Sequence, residues 1–284
     1  MPEPASSSAR AARKALAGRL QDIRKAAGLT ARQLSDRAGW HESKTSKIEN
    51  AKQPASASDI RTWVQVCSAQ AQTGELLDQL RALDEMWLDW RRAEKSGFTR
   101  INLEVRQLYE STRLLRVYSG MMIPTPVQTA DYVTALLQGL KRRRDVPVDD
   151  IPEAVAERMA RQHTLYDGDH RFVVLLEEEA LRKRIGGPGV LAAQLRHLLA
   201  VQPLPSLALG VIPADADRSL QWPVEMFFLF DRKQVSVELV SGFLTITNPR
   251  EIAMYEADFL RFSEIAVYGQ AARALIESAL TSLR

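Results

Sequence analysis

Apolar residues recur at helical spacing through the first quarter of the chain. Leu16, Leu20 and Ile23 lie three to four positions apart, which predicts a helix with one apolar face. Similar stripes predict three further helices, over Ala31–Ala38, about Glu42–Asn50 and Ile60–Cys67. Gly28 and Gly39 follow the first two helices, where glycine tolerates the left-handed backbone that ends a helix. The pattern predicts an all-α N-terminal domain.

A longer apolar stripe follows over residues 74–92. Its members alternate between spacings of four and three residues, as in a coiled-coil seam: Leu76, Leu80, Leu83, Trp87 and Trp90. Two interpretations stay open, because the seam can pack inside the N-terminal domain or contribute to self-association. We place the domain boundary after this helix. The sequence then predicts a helical domain over 12–95, preceded by a disordered segment, 1–11, that is rich in Pro, Ser and Ala.

The remaining residues, 96–284, mix helical and strand-type periodicity. Runs rich in Val, Leu, Ile and Phe predict strands over Arg171–Leu176, Leu207–Ile212, Glu225–Phe230, Val235–Val240 and Phe243–Thr247. Helical patterns surround them, over Leu103–Ser111, Thr129–Leu140, Pro152–Leu165, Val190–Ala200 and Arg250–Leu283. Because helices flank a cluster of strands, we predict an α+β C-terminal domain.

The composition is that of a folded protein of about two domains, with 284 residues of which 45% are hydrophobic and 26% charged. The single cysteine, Cys67, excludes an intrachain disulfide and a cysteine-based zinc site, and we expect a buried, unreactive thiol. Apolar runs fall far short of the ~20 residues of a membrane span. No apolar secretory core follows the polar N-terminus. We therefore expect a cytoplasmic protein with no membrane partner.

Charge is distributed unevenly along the chain. Residues 1–61 hold 12 Lys and Arg against 6 Asp and Glu, a net of +6. The whole chain has 38 basic and 35 acidic side chains, so the remaining residues hold 26 basic and 29 acidic ones, a net of −3. A basic N-terminal domain on a mildly acidic remainder favours a polyanion partner such as DNA or RNA. A solvated basic surface is the alternative.

The most informative segment is Leu29–Asn50, LTARQLSDRAGWHESKTSKIEN, in which two short helices surround Gly39. A helix-turn-helix needs glycine in this turn and a small residue where the helices cross, a place taken here by Ser35. Thr45 and Ile48 are predicted to face inward. The other positions of the second helix are polar, as expected of a helix that enters the major groove of DNA.

This segment resembles the XRE (Cro-repressor-like) helix-turn-helix family. The residues in register with that family are Gly39, Ser43, Ser46, Lys47, Ile48 and Glu49. Three positions depart from the family pattern. Ala31 stands where glutamine is common, His41 replaces the usual Ser or Thr cap, and Ala51 replaces a glycine. The change at Ala31 puts one familiar DNA contact in doubt.

We predict that the helix over 42–50 reads base edges, because lysine donates to guanine and asparagine bridges adenine. The predicted base-reading residues are Ser43, Ser46, Lys47 and Asn50. Phosphate contacts, which give affinity but little sequence information, are predicted for Arg32, Arg37, Lys44 and Lys52. We expect Glu49 to make a structural hydrogen bond or ion pair, and Trp40 to fill the core beneath the turn.

The C-terminal domain is similar to the effector domain of WhiJ-like, toxin–antitoxin-like regulators of actinobacteria. The similar stretches are Tyr118–Leu137, Ala156–Gln162, Leu176–Pro188, Gln194–Leu198 and Leu207–Pro213. In that group a small acidic or neutral protein is often encoded alongside the regulator. The resemblance therefore implies a small, neighbour-encoded protein partner.

Two classes of function follow. In the first, the chain is a sequence-specific transcription regulator, associated with the nucleoid, that binds double-stranded operator DNA. A single helix-turn-helix covers only a half-site, so a homodimer on a near-palindromic site is expected. In the second, the chain is an antitoxin-like adaptor whose main role is to bind the small partner. The aromatic stretch Trp222–Phe230 also permits a pocket for a small-molecule effector, although core packing is its more ordinary use.

Signals of catalysis are weak. The histidines at 41, 163, 170 and 197 lack the spacing of metal ligands. Glu177–Glu179 has no convergent partners and is expected to cap a helix or lie on the surface. We predict no catalytic, cofactor-binding or metal-binding residues and no enzyme activity. The basic run Lys141–Arg144 is either a second polyanion contact or a solvated helix end.

Overall fold

The computed structural model describes residues 7–89 and 97–283. Two compact units are present, one comprising Met1–Leu88 with Leu244–Asn248, the other Asp89–Phe243 with Pro249–Arg284. We call them the N-terminal unit and the C-terminal unit. The boundary proposed between residues 95 and 96 lies outside the described residues. No local pattern in the sequence had indicated that 244–248 belongs with the first unit.

The N-terminal unit is built from five α-helices in its described part. They are α1 (Ser7–Ala26), α2 (Ala31–Ala38), α3 (Glu42–Glu49), α4 (Ala57–Val66) and α5 (Thr73–Met86). Their apolar faces meet in one core that includes Leu20, Leu34, Ile48 and Trp63, all less than 2% exposed. Each of these residues lies on the stripe that its helical periodicity marks. The all-α prediction for this part of the chain is confirmed.

Two helices of the N-terminal unit begin or end at other residues than predicted. Helix α1 begins at Ser7, so residues 7–11 of the segment predicted to be disordered are helical, and residues 1–6 lie outside the described part. Helix α5 ends at Met86 rather than continuing to residue 92, because Trp87–Asp89 is a short strand, β1. The seam residues Leu76, Leu80 and Leu83 pack against the core of the N-terminal unit. Trp90 lies outside the described residues.

The C-terminal unit combines helices with a mixed sheet. The helices are α6 (Thr99–Ser111), α7 (Ala130–Arg144), α8 (Ile151–Arg161), α9 (Pro188–Val201), α10 (Pro249–Ile265) and α11 (Gly269–Thr281). Its strands are β2 (Leu114–Ser119), β3 (Arg171–Glu177), β4 (Leu207–Ile212), β5 (Phe227–Phe230) and β6 (Gln234–Glu238). Strand β7 (Gly242–Ile246) begins in this unit, and from Leu244 its residues are grouped with the N-terminal unit. The predicted helix Arg250–Leu283 is therefore two helices, separated at Val267, whose backbone bonds with Val211.

Within the sheet, β6, β5, β2, β3 and β4 lie side by side in that order. Strands β2, β3 and β4 are parallel, whereas β5 is antiparallel to both β2 and β6. Parallel strands need long crossovers, which α7 and α8 supply between β2 and β3, and α9 between β3 and β4. The α+β class predicted for this domain is confirmed.

Strand β2 was missed by the sequence analysis although it is central to the sheet. Its run of apolar residues is interrupted by Arg116, which argues against a buried strand. Arg116 has partners within the fold, because its Nη2 donates to the Asp231 carbonyl at 2.7 Å and to Glu256 Oε1 at 2.7 Å, although its Nε has no hydrogen-bond partner among the described residues. The pairing of β2 with β5 explains how the strand tolerates this charge.

Among the helices of residues 7–89 and 97–283, none is both long enough and apolar enough to cross a bilayer.

Candidate nucleic-acid interface

Helices α2 and α3 form the predicted helix-turn-helix. Thr30 and Gln33 make a capping box at the start of α2, in which each side chain satisfies the other residue's backbone N–H. Gly39 ends α2 with φ +72° and ψ 29°, the left-handed conformation for which glycine is favoured. His41 caps α3, because its Nδ1 accepts the Ser43 N–H at 3.2 Å. The histidine thus performs the role of the Ser or Thr that it replaces.

Two hydroxyls join the helices where they cross. Ser35 Oγ and Thr45 Oγ1 lie 2.5 Å apart, and both residues are buried. The Trp40 indole Nε1 donates to the same Thr45 oxygen at 2.9 Å. Trp40 also packs against the core of the unit. These contacts fix the angle between the helices and so determine which side of α3 faces outward.

The outward side of α3 carries the predicted base-reading residues. Ser43, Ser46, Lys47 and Asn50 are all exposed. Asn50 is the residue that caps the C-terminal end of α3, and its Nδ2 donates to the Ser46 carbonyl at 2.8 Å. Ser43 Oγ lies 2.9 Å from His41 Nδ1. The four side chains thus lie on one helix and its cap, where a groove of DNA could contact them together.

Glu49 has a structural role, as expected. Arg24 reaches it from α1, with Nε 2.5 Å from Oε1 and Nη2 3.0 Å from Oε2. The Nη1 of Arg24 donates to the Leu29 carbonyl at 2.6 Å. The hydrogen bond to Glu49 raises the pKa of Arg24 despite its burial. This bidentate pair ties α3 to the rest of the N-terminal unit.

The predicted phosphate contacts fall into two kinds. Arg32, Arg37 and Lys52 are exposed. Lys44 is half-buried, with Nζ 2.6 Å from Asp59 Oδ1 and 4.4 Å from the centre of the Trp40 ring. This partner gives no local signal in the sequence, because Asp59 is 15 residues away and lies on α4.

Outside the N-terminal unit, two members of the acidic cluster Glu177–Glu179 have structural partners. Glu177 is buried and accepts from the Tyr118 hydroxyl at 2.8 Å and from Arg218. Glu178 accepts from Arg182 at 2.9 Å. Within residues 7–89 and 97–283, no group of three or more His, Cys, Asp and Glu side chains could hold a metal ion. Within the N-terminal unit, Cys67 is buried as expected, and burial raises the pKa of its thiol.

Comparisons with known proteins bear on both parts of the chain. A family model described as a helix-turn-helix domain matches residues 15–81. A solved structure of TrmBL2, described as an archaeal chromatin protein with a novel mode of DNA binding, has 12% identity and a TM-score of 0.31 over 85% of this chain and 88% of its own. Similarity at that level supports no conclusion about this chain. Among curated proteins none matches.

A second family model, described as a domain of unknown function (DUF5753), matches residues 104–278, which is more than half of the chain. It covers most of the C-terminal unit and begins within α6. The chain therefore belongs to the DUF5753 family and carries a helix-turn-helix domain at its N-terminal side.

Proposed function

We propose that the chain is a sequence-specific DNA-binding transcription regulator in which α3 is the recognition helix. The observation that carries this proposal is the division of α3 into two sides. Thr45 and Ile48 are fully buried, whereas Ser43, Ser46 and Lys47 are exposed. A helix that is fixed on one side and polar on the other meets the requirement for insertion into the major groove.

The exposed residues of α3 have the chemistry for base recognition. Lys47 can donate to guanine acceptors and Asn50 can bridge adenine, each worth about 1–3 kcal/mol of discrimination. Ser43 and Ser46 can donate or accept. Arg32, Arg37 and Lys52 would contact phosphates. Lys44 would do so only if its ammonium left Asp59 or contacted Asp59 and a phosphate at the same time. We expect Lys44 to contribute least to affinity among the four.

The regulator would act as a homodimer. One helix-turn-helix reads one half-site, so specific binding requires two heads spaced about one DNA turn apart. The C-terminal unit would supply dimer contacts and receive the regulatory signal. This arrangement predicts a near-palindromic operator.

Selection from a random duplex pool with the full chain tests the proposal. The wild type should enrich a two-fold symmetric site, and Ser43→Ala, Ser46→Ala and Lys47→Ala together should abolish that preference. The matched control changes Ser58, Arg61 and Gln65 to Ala, three exposed polar residues on α4 that also include one cation. Loss of preference in the control, or its retention in the α3 variant, would remove α3 from recognition.

The adaptor function is the second candidate, and one observation favours it. Leu220 is 85% exposed and Trp222 is 66% exposed, so the segment before β5 presents two large apolar side chains to solvent two positions apart. If the adaptor role is the main one, the full chain should co-purify with the small neighbour-encoded protein. Leu220→Ser with Trp222→Ser should then break the complex while leaving DNA selection unchanged.

A further inference from the structure

A cavity of about 520 Å³ lies within the C-terminal unit, between α6, α7, α8 and strands β5 and β6. Most of its wall is apolar and includes Val105, Leu140, Met226, Phe228 and Phe230. Its volume falls in the range of roughly 300–1,000 Å³ that is usual for small-molecule sites. The cavity is large enough to hold an organic molecule of substantial size.

The polar part of the wall is strongly basic. Four arginines line the cavity, Arg143, Arg144, Arg158 and Arg161, against one carboxylate, that of Glu238. Arg144 lies 3.7 Å from Glu238, so this carboxylate already has a cationic neighbour. The run Lys141–Arg144 is the last turn of α7, and two of its members line the cavity, the exposed Arg143 and the half-buried Arg144.

Arg158 and Arg161 come from one face of α8, and neither forms a close ion pair within the described residues. Arg161 is 4% exposed, its Nε has no hydrogen-bond partner in that part of the chain, and its guanidinium lies 4.6 Å from the centre of the Tyr109 ring. Arg158 Nε donates to Asn102 Oδ1 at 3.0 Å. Glu157 attracts Arg161 through space, but its Oε2 lies 3.7 Å from Arg106.

The environment opposes the charge on both guanidiniums. Burial, and then repulsion by Arg161, lower the pKa of Arg158 to about 10. Burial likewise lowers the pKa of Arg161. Two like charges held close together in a buried wall are unfavourable, so an anion in the cavity would relieve the arrangement.

A second unsatisfied group lies in the same wall. Gln128 is 2% exposed, and its Oε1 has no hydrogen-bond partner within the described residues, whereas its Nε2 donates to the Ile123 carbonyl at 2.7 Å. Buried polar atoms in proteins are nearly always hydrogen-bonded. Arg161 Nε is a donor that lacks an acceptor, whereas Gln128 Oε1 is an acceptor that lacks a donor, so only the arginine atom calls for an anionic partner.

We propose that this cavity binds an amphipathic carboxylate, with its apolar body against the phenylalanine-lined wall and its carboxylate at Arg158 and Arg161. Guanidinium groups bind carboxylates through paired, charge-assisted hydrogen bonds. The apolar body accounts for the volume, and the carboxylate supplies a counter-charge for the two guanidiniums of the wall. The cavity would bind such a ligand whether or not the chain binds DNA. A role for the ligand as a regulatory signal rests on the proposed function.

Isothermal titration calorimetry of the full chain tests this site without DNA. The probes are the carboxylates dodecanoate and biphenyl carboxylate, each paired with its neutral alcohol, lauryl alcohol or biphenyl methanol. At least one carboxylate should bind with a stoichiometry of one per chain, and its alcohol should bind at least about tenfold more weakly, since only the anion gains the paired hydrogen bonds. Absence of binding by both carboxylates, or equal affinity for the alcohols, overturns the proposal.

Two variants locate the binding. A Cβ added at Gly139, which lines the cavity on α7, would meet nothing within 4 Å, so Gly139→Leu should fill the cavity and abolish binding. Gly189→Leu is the matched control, because Gly189 is also open to a side chain, lies on α9 and is outside the wall. Circular dichroism checks that both variants fold. Binding that persists in Gly139→Leu overturns the proposed location.

Arg161→Met tests the charge. Replacing a buried arginine by an apolar residue of similar length is tolerated when no partner charge is left behind. This variant should lose the preference for carboxylate over alcohol while still binding the alcohol. An unchanged preference in Arg161→Met would show that the anion is held elsewhere.

Discussion

The ammonium of Lys44 lies 2.6 Å from Oδ1 of Asp59 and joins the candidate recognition helix to α4. Asp59 also completes the capping box at the start of α4, because its Oδ2 accepts the Ser56 N–H at 3.0 Å. The same lysine lies over the Trp40 ring. A residue expected from the sequence to contact phosphate therefore also packs within the N-terminal unit.

This pair should make the stability of the N-terminal unit depend on pH. Burial raises the pKa of Asp59, but hydrogen bonds from Lys44 and Ser56 together outweigh it, so the pKa lies below its usual value. A carboxyl whose folded pKa is lowered stabilises the fold above its unfolded pKa of about 3.9 and loses that contribution as pH falls through the folded value.

Lys44→Met should accordingly lower the free energy of unfolding by about 1–3 kcal/mol at neutral pH, because Asp59 loses its charged partner. The difference from wild type should shrink in strong acid, where Asp59 is protonated. Urea denaturation of the full chain, followed by tryptophan fluorescence at both pH values, measures it. Lys52→Met, at an exposed position, is the control. A difference that does not change with pH would contradict the assignment to Asp59.

The same lysine gives a prediction for DNA binding. Removing an exposed phosphate contact, as in Arg32→Met, should reduce the slope of log affinity against log salt by about 1. Lys44→Met should change the slope less, since its ammonium is already engaged by Asp59. Fluorescence anisotropy with the selected duplex over a salt series measures both slopes. Equal reductions would mean that Lys44 leaves Asp59 on binding.

Breaking the pair between Arg24 and Glu49 should cost more stability than any exposed contact. Arg24→Met leaves a nearly buried carboxylate without its partner, which typically costs about 3–5 kcal/mol. Arg24→Met with Glu49→Gln removes the stranded charge and should restore part of the loss. Chemical denaturation of the two variants gives both values. If the double variant were no more stable than the single one, the loss would come from the Leu29 carbonyl contact instead.

Gly39→Ala tests how much the turn depends on a residue that tolerates the left-handed backbone conformation. An added Cβ would meet nothing within 4 Å, so no steric clash contributes. The left-handed φ of +72° remains unfavourable for alanine, and the unit should lose about 1–2 kcal/mol. Gly139→Ala, within helix α7, should instead gain up to about 1 kcal/mol. Thermal melting compares the two, and equal stability in Gly39→Ala and wild type would show that the turn adapts.

Local chemistry was sufficient to predict the helix-turn-helix. The capping residue Thr30, the turn at Gly39 and the buried side of α3 all depend on residues a few positions apart, whose spacing is visible along the chain. The predicted small residue at the crossing, Ser35, contacts the predicted inward residue Thr45. The α+β class of the C-terminal unit followed from the same periodicity.

Only the tertiary structure could decide which distant residues meet. Strand β2 pairs with β5 more than a hundred residues away, and Arg116 is tolerated in it because Glu256 approaches from α10. Nothing in the sequence singles out Arg158 and Arg161 from other charged residues of an amphipathic helix. Only the packing of α8 against α6 and α7 places them in the wall of an apolar cavity. Periodicity records which side of an element is buried, whereas the partner across that buried side is chosen by packing of the whole chain.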